Sequence, residues 1–309
     1  MIMLTGASGY IGKALLQRLI ALDREVVTAG RVSIAENIEH RPLDLLTATL
    51  DRDLFSGVDT VIHCAGVAHN RGTVDDYRRI NVDATIALGQ SAVASDCRHF
   101  IFLSSLNVVP VTSGDAAASP HDLPKPASAY AESKWHAERQ LIQCFAHSGC
   151  DLTIVRSSLV YDRQLVANLD LLQRLTRWLP VALPDAGSRM MIARPDLVDL
   201  LALLAHRPRS PAADLTQADS ASTVRIIVAA DGERYMSKRI GSALASRAQI
   251  PVPQMCWRLF CPLWDVLRGV PAGTTWAAVG SDHWVGAVDS PEDWQPRYTL
   301  EALLAPGRY

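Results

Sequence analysis

Tyr130 and Lys134 stand four residues apart in Tyr130-Ala131-Glu132-Ser133-Lys134. On a helix, that spacing puts both side chains on one face. A phenol beside an ammonium loses its proton more readily than a phenol in water. It is then suited to acid–base work on a carbonyl–alcohol pair. Ser105 ends an apolar run twenty-five residues earlier, and its hydroxyl would orient the reacting oxygen. Tyr-x-x-x-Lys alone arises by chance on surface helices. A second constellation raises its weight: Gly6-Ala7-Ser8-Gly9-Tyr10-Ile11-Gly12, with glycines at spacing three. A turn without side chains lets backbone approach a pyrophosphate, and a helix N-terminus behind it supplies free N–H groups and a positive dipole end.

The elements that must carry these residues are readable. Ile2–Thr5 is a short apolar strand before the glycines, and Ile11, Leu15, Leu16 and Leu19 recur at helical spacing after them. Further strands are expected over residues 25–29, 41–45, 60–64, 100–104 and 152–156, with helices between most of them. A helix is expected from Tyr130 to about His147. Alternating short strands and helices predict an α/β fold: a Rossmann-type doubly wound parallel sheet, covered on both faces, with ligands beyond the carboxyl ends of its strands. After the second strand the sequence reads Thr28-Ala29-Gly30-Arg31-Val32-Ser33, without the acid that would bind a ribose 2′-OH. Arg31 either pairs with a 2′-phosphate, which favours NADP over NAD, or is a solvated loop charge.

Composition sets outer bounds. The chain has 309 residues, enough for about two domains, and 49% hydrophobic residues, which excludes a disordered chain. Thirty basic and thirty-two acidic residues give a net charge of -2, with no bulk reason to expect a nucleic acid or an anionic membrane as partner. Its six cysteines form no C-x-x-C and no zinc spacing, so no metal is expected and the thiols read as reduced, in a cytoplasmic protein. The N-terminus reads as a strand rather than a signal peptide, and no apolar run is long enough for a membrane span.

Gly6-x-x-Gly9-x-x-Gly12, Asp44-Leu45, His63-Cys64-Ala65-Gly66, Asn81-Val82, Leu103-Ser104-Ser105, Tyr130-x-x-x-Lys134 and Val155-Arg156 occur in this order. As a set they resemble the extended short-chain dehydrogenase/reductases of the NAD-dependent epimerase/dehydratase family. The resemblance implies that Gly6, Ser8, Gly9, Tyr10, Ile11 and Gly12 hold the cofactor pyrophosphate, and that Asp44 and Leu45 flank its adenine. Ala65, Gly66 and Val67 would line the trough, and Ser157 to Val160 would meet the nicotinamide. Ser105, Tyr130 and Lys134 would be catalytic, with Lys134 also holding the nicotinamide ribose. Asn81 would support the site, and His63 is expected to be packed rather than catalytic. A homodimer through two helices per subunit is also implied.

The chain changes character near residue 157. The expected division is a cofactor domain over 1–156, with 197–231 returning to it, and a smaller substrate lobe over 157–196 and 232–309. The return is expected as a helix and a last strand between Leu197 and about Thr216. The loop from Leu106 to Ala129 is expected to arch over the site. Local phrases such as Phe102-Leu103-Ser104-Ser105-Leu106-Asn107-Val108 and Val155-Arg156-Ser157-Ser158-Leu159-Val160-Tyr161 resemble bacterial UDP-N-acetylhexosamine 4-epimerases and UDP-4-keto-6-deoxy-sugar reductases. That resemblance implies a small-molecule substrate, a nucleotide sugar, met by Ser105, Asn107, Asn168 and Arg189. Asn168 is alternatively a helix cap, and Arg189 a surface charge. Asp162-Arg163 replaces the family's Gly-Pro turn after Tyr161, and the region around Arg194 keeps only part of the usual signature. These departures leave open an NADPH-dependent ketone or aldehyde reductase acting on a non-nucleotide molecule. A third reading is an NADP sensor without turnover. Met255–Leu267 carries Trp257, Phe260 and Trp264 at helix-like spacing, which predicts core or dimer packing, with a membrane-surface role as the sharper alternative.

Overall fold

β1 (Ile2–Thr5) is buried along its whole length and alternates between two cores. Ile2 and Leu4 face one layer, and Met3 faces the other, as the two-residue period of a strand requires. The computed structural model describes residues 1–47, 50, 52–68, 71–110, 115, 117–178, 180–206, 223–245, 247–267, 269, 271–280, 282–285, 291 and 293–305, without the side chains of 167, 168, 175, 177, 277 and 278. The chain continues through α1 (Tyr10–Ala21), β2 (Val26–Gly30), β3 (His40–Pro42) and β4 (Thr60–His63). A helical stretch follows, made of α2 (Val74–Asp76), a π-helical segment (Tyr77–Asp83) and α3 (Ala84–Ala94). Next come β5 (His99–Ser105), α4 (Ala129–Phe145) and β6 (Asp151–Ser157).

The second half runs β7 (Leu159–Tyr161), α5 (Ala167–Trp178), β8 (Ser188–Arg189), β9 (Met191–Ala193), α6 (Arg194–His206), β10 (Val224–Ala229) and β11 (Tyr235–Met236). It closes with α7 (Ser237–Leu244), α8 (Gln254–Leu267), α9 (Thr274–Gly280) and α10 (Leu300–Leu304). Seven strands form one parallel sheet in the order β3-β2-β1-β4-β5-β6-β10. The order reverses between β1 and β4, which opens a crevice at their carboxyl ends. α1 and α6 cover one face, through Leu15, Leu19, Leu200 and Leu201. α3 and α4 cover the other, through Leu88, Leu141 and Phe145. This is the Rossmann-type doubly wound sheet that the strand–helix alternation predicts.

Two expected strands differ. β3 ends at Pro42, not at residue 45: Leu43 makes the last contact, donating to the Gly30 carbonyl at 2.9 Å, and Asp44 then accepts from the Leu46 N–H at 3.0 Å to turn the chain. The last strand is Val224–Ala229 rather than one ending near Thr216, because the apolar run able to pair with β6 lies there. Residues 207–222 lie outside the described ones. Elsewhere in the second half, β7 pairs with β9, β8 pairs with β11, and a separate apolar cluster gathers Leu165, Leu169, Tyr235, Ile240 and Leu300. Asp231 ties that cluster to β10 by accepting from the hydroxyls of Tyr161 (2.8 Å) and Tyr235 (2.7 Å). Among the described residues no helix is long and apolar enough to cross a membrane, and no group of His, Cys, Asp or Glu has metal-site geometry.

Candidate active site

The glycine turn sits in the crevice between β1 and β4. Gly6 has φ +72°, and a Cβ there would stand 2.5 Å from the Ala65 nitrogen. A Cβ on Gly12 would stand 2.1 Å from the Gly6 carbonyl oxygen, so α1 can begin this close to the turn only with glycine. A cleft of about 260 Å³ opens here, lined by Gly6, Ser8, Gly9, Arg31, Asp44, Leu45, Ala65, Gly66 and Val67 among others. The sequence reading thus selected residues from four separate loops that the fold brings to one cleft. Arg31 is exposed just beyond β2, and Asp44 and Leu45 lie in the turn after β3. Tyr10 and Ile11 form the first turn of α1. The Tyr10 ring lies under Arg194, 4.5 Å from its guanidinium carbon, and burial pushes its phenol up to about 12.

Ser105, Tyr130 and Lys134 meet at the carboxyl end of β5. Ser128 caps α4, its side chain accepting from the Ala131 N–H at 3.2 Å, which sets Tyr130 in the first turn. The Tyr130 phenol is hydrogen-bonded to Ser105. Burial pushes this phenol above the ordinary tyrosine value, the bond to Ser105 opposes the rise, and Tyr77 adds to it. The Tyr77 ring meets the Tyr130 ring edge-on at 5.8 Å. The expectation that the neighbouring ammonium makes the phenol more acidic is therefore corrected. Desolvation dominates, and Lys134 turns elsewhere, donating to the Leu103 carbonyl at 3.0 Å, 4.5 Å from the Phe102 ring centre. Lys134 is 6% exposed, and burial pulls its pKa down to about 8 against Cys64 and Glu138.

Asn81 is fully buried and joins the cleft to this triad. Its Oδ1 accepts from the Val67 N–H at 2.7 Å, while its Nδ2 donates to Val67 O (3.0 Å) and Ser133 Oγ (3.2 Å). Ser133 in turn donates to the Tyr130 carbonyl at 2.7 Å. His63 is a packed histidine: its ring nitrogens bond to Thr5 and Thr85, it stacks near Phe102, and burial lowers its pKa to about 3. Asn107 is exposed, and its N–H donates to Ser105 Oγ at 3.2 Å. The Ser157 hydroxyl donates to Ser104 O at 3.2 Å, and Val160 packs against the core beneath α1 and α6. Arg189 lies on β8, half-buried, its pKa lowered by burial. Asn168 falls on α5, and its side chain lies outside the described ones.

The sequence reading missed a buried ion pair one helical turn past Lys134. Glu138 and Arg156 are both fully buried and 2.7 Å apart at their closest. Ser104 donates to Glu138 at 2.5 Å, and Arg156 donates to the Ala118 carbonyl at 2.8 Å. With the Trp135 indole donating to Pro120 O at 2.7 Å, the pair ties α4, β5, β6 and the 117–123 segment together. The recurrence of Tyr130, Lys134 and Glu138 every four residues was the available signal. Asp162 and Arg194, the two departures noted in the sequence, form an ion pair with each other.

A model of the NAD dependent epimerase/dehydratase family matches residues 2–210. A UDP-glucose 4-epimerase of Vibrio cholerae is 27% identical over 97% of this chain and 92% of its own length. A hybrid PKS-NRPS synthetase of Hapsidospora irregularis is 26% identical over 80% of this chain, which spans 6% of that protein. Among solved structures, UDP-glucose 4-epimerase of Thermotoga maritima with UDP-glucose superposes with a TM-score of 0.69 at 15% identity, covering 98% of this chain and 96% of that one. UDP-glucose 4-epimerase of Thermus thermophilus in complex with NAD gives 0.67 at 18% identity, covering 98% and 96%. These likenesses show the fold.

Proposed function

The chain belongs to the NAD dependent epimerase/dehydratase family, and on that premise we propose that it acts at C4 of a UDP-hexosamine-type nucleotide sugar, as a 4-ketoreductase or 4-epimerase. The observation that carries this reading is the Ser105–Tyr130 hydrogen bond, beside buried Lys134, on the same sheet edge as the glycine cleft. The residues present fit a dinucleotide: Gly6 and Gly12 let the turn pack backbone to backbone against Ala65 and the start of α1, and no side chain caps α1 at Gly9, so the helix N-terminus faces the cleft with N–H groups suited to phosphates. The bound cofactor would take hydride from, or give it to, the sugar carbon.

The chain's own residues handle the oxygen. Burial keeps the Tyr130 phenol protonated, so in the reductive direction it is the proton source for the carbonyl oxygen as an alcohol forms. Ser105 hydrogen-bonds the same oxygen and fixes its direction. Lys134, which donates to the Leu103 carbonyl in this structure, would turn to hold the nicotinamide ribose when the cofactor binds, and would then bring its charge toward the phenolate. Arg189, Asn107 and Asn168 are assigned to the substrate, with Arg189 on its phosphates. Segments 1–156 and 197–231 would form the cofactor domain, and 157–196 with 232–309 the substrate lobe, in a cytoplasmic homodimer. Arg31, with no carboxylate between Gly30 and Ala35, favours NADP, although solved relatives hold NAD.

The test is thermal shift with NADP+, NAD+ and each plus UDP, followed by turnover of wild type and Tyr130→Phe. Stabilisation by NADP+ that UDP increases, with turnover falling roughly 10²–10⁴-fold in the variant, is expected. Undiminished turnover in Tyr130→Phe refutes the mechanism. A second reading, a reductase for a non-nucleotide carbonyl compound, draws on the Asp162–Arg194 pair beside Tyr10 and on the likeness to the synthetase. A cofactor shift without a UDP increment would favour it, and cofactor binding with no hydride exchange on any substrate would favour a sensor.

A further inference from the structure

The Met255–Leu267 segment is a helix, but not a core helix. Of α8's residues only Cys261 and Asp265 are buried. Met255 is 71% exposed, Leu259 70%, Leu263 62%, Val266 68% and Leu267 73%. Phe260 and Trp264 are 49% and 40% exposed and stack on each other, with ring centres 5.9 Å apart. At about 100° per residue these side chains all fall within an arc of about 180°, and no charged or amide side chain lies in that arc. The usual amphipathic order is inverted, with the apolar half-cylinder facing away from the protein. The apolar surface continues at the root of the helix. Ile250, 61% exposed, hydrogen-bonds Pro180, two residues beyond the 85% exposed Trp178.

We propose that α8 is a membrane-docking helix that lies in the surface of an anionic bilayer. Three observations choose this occupant. First, charge: residues 246–270 contain three arginines, at 247, 258 and 268, and a single acid, Asp265. That acid is turned inward, accepting from the N–H groups of Gly273 (2.8 Å) and Thr275 (3.0 Å), so the exposed face presents no carboxylate to repel anionic headgroups. Second, shape: a convex half-cylinder with no charged or amide side chain inside its arc lacks there the hydrogen-bonding groups that folded interfaces place about once per 100–200 Å². A second helix would also cover a narrower stripe than this. A fluid acyl phase covers all of it. Third, the edges: Trp257, Phe260 and Trp264 line one border of the arc, and Arg258, over the Trp276 ring at 5.4 Å, stands beyond the other. Aromatic and arginine side chains at such borders suit the headgroup level. A helix of 14 residues is about 21 Å long, too short to span the roughly 30 Å hydrocarbon core, so it lies in the plane.

The proposal is independent of the reaction assigned above. Its test is co-flotation of the full-length protein with vesicles of phosphatidylcholine alone and of phosphatidylcholine with phosphatidylglycerol, alongside light scattering for mass. A Leu259→Asp/Leu263→Asp variant alters only exposed positions, and its circular dichroism and urea unfolding, unchanged from wild type, verify folding. Wild type is expected to float with the anionic vesicles at least tenfold more than the variant, at unchanged mass. Failure of wild type to float with either vesicle overturns the proposal. A fall in mass in the variant without flotation of wild type assigns the face to a second copy of the chain instead. Equal flotation with both vesicle types overturns the role given to the arginines.

Discussion

Replacing Glu138 by alanine should cost the protein about 3–5 kcal/mol. The magnitude follows from what the carboxylate does. It is fully buried against an equally buried Arg156, and it accepts from Arg156 Nη2 at 2.7 Å, Arg156 Nε at 3.2 Å and Ser104 Oγ at 2.5 Å. Removing it leaves a guanidinium out of water without its countercharge, and desolvation, not the lost attraction, sets the scale. Glu138→Gln keeps the shape and some hydrogen bonds but loses the charge, so a loss of about 1.5–3 kcal/mol is expected. Replacing both partners, Glu138→Leu with Arg156→Met, removes both buried charges and should return stability to within about 1 kcal/mol of wild type. Urea unfolding followed by fluorescence measures all three variants. Because Ser104 adjoins Ser105, and α4 carries Tyr130 and Lys134, kcat should fall in the double variant even where stability returns. A loss below about 1 kcal/mol in Glu138→Ala would refute the premise that this pair is desolvated and mutually dependent.

Three further outcomes are expected. Gly12→Ala puts a methyl 2.1 Å from the Gly6 carbonyl, so α1 must shift from the turn. A loss of about 1–3 kcal/mol should accompany disappearance of the cofactor thermal shift, and a normal shift would count against the cleft. Arg31→Glu should lower NADP+ affinity roughly tenfold or more while sparing NAD+, read by titration; unchanged selectivity would remove Arg31 as the phosphate reader. His63 has its pKa lowered from 6.5 to about 3, so between those values the unfolded chain binds the extra proton and stability falls as pH drops. Unfolding free energies from urea titrations at pH 7 and pH 4.5 should differ by about 2.5 kcal/mol on this account, and His63→Gln should reduce the difference.

How far the sequence could be read depended on whether a pattern carries its own partner. The sheet and the glycine cleft were legible because strand–turn–helix periodicity is local, and a parallel sheet with one switch point leaves few ways to assemble such units. Gly6, Arg31, Asp44 and Ala65 converge for that reason alone. Spacing also put Tyr130 and Lys134 on one face, yet a shared face says nothing of what lies across from it. Across from Lys134 are the Leu103 carbonyl and the Phe102 ring, and across from Tyr130 are Ser105 and Tyr77, so burial raises the phenol instead of an ammonium lowering it. Glu138 escaped notice because its meaning depends on Arg156, which comes from a strand that pairs with β5. α8 is the sharpest case. Trp257, Phe260 and Trp264 give the same periodicity whether the apolar arc faces in or out. What decides is Asp265, which caps the Gly273–Thr275 turn and thereby commits the polar side of the helix inward. Moving Asp265 outward would abandon those backbone N–H groups, so the protein is built to keep the apolar arc exposed until something apolar covers it.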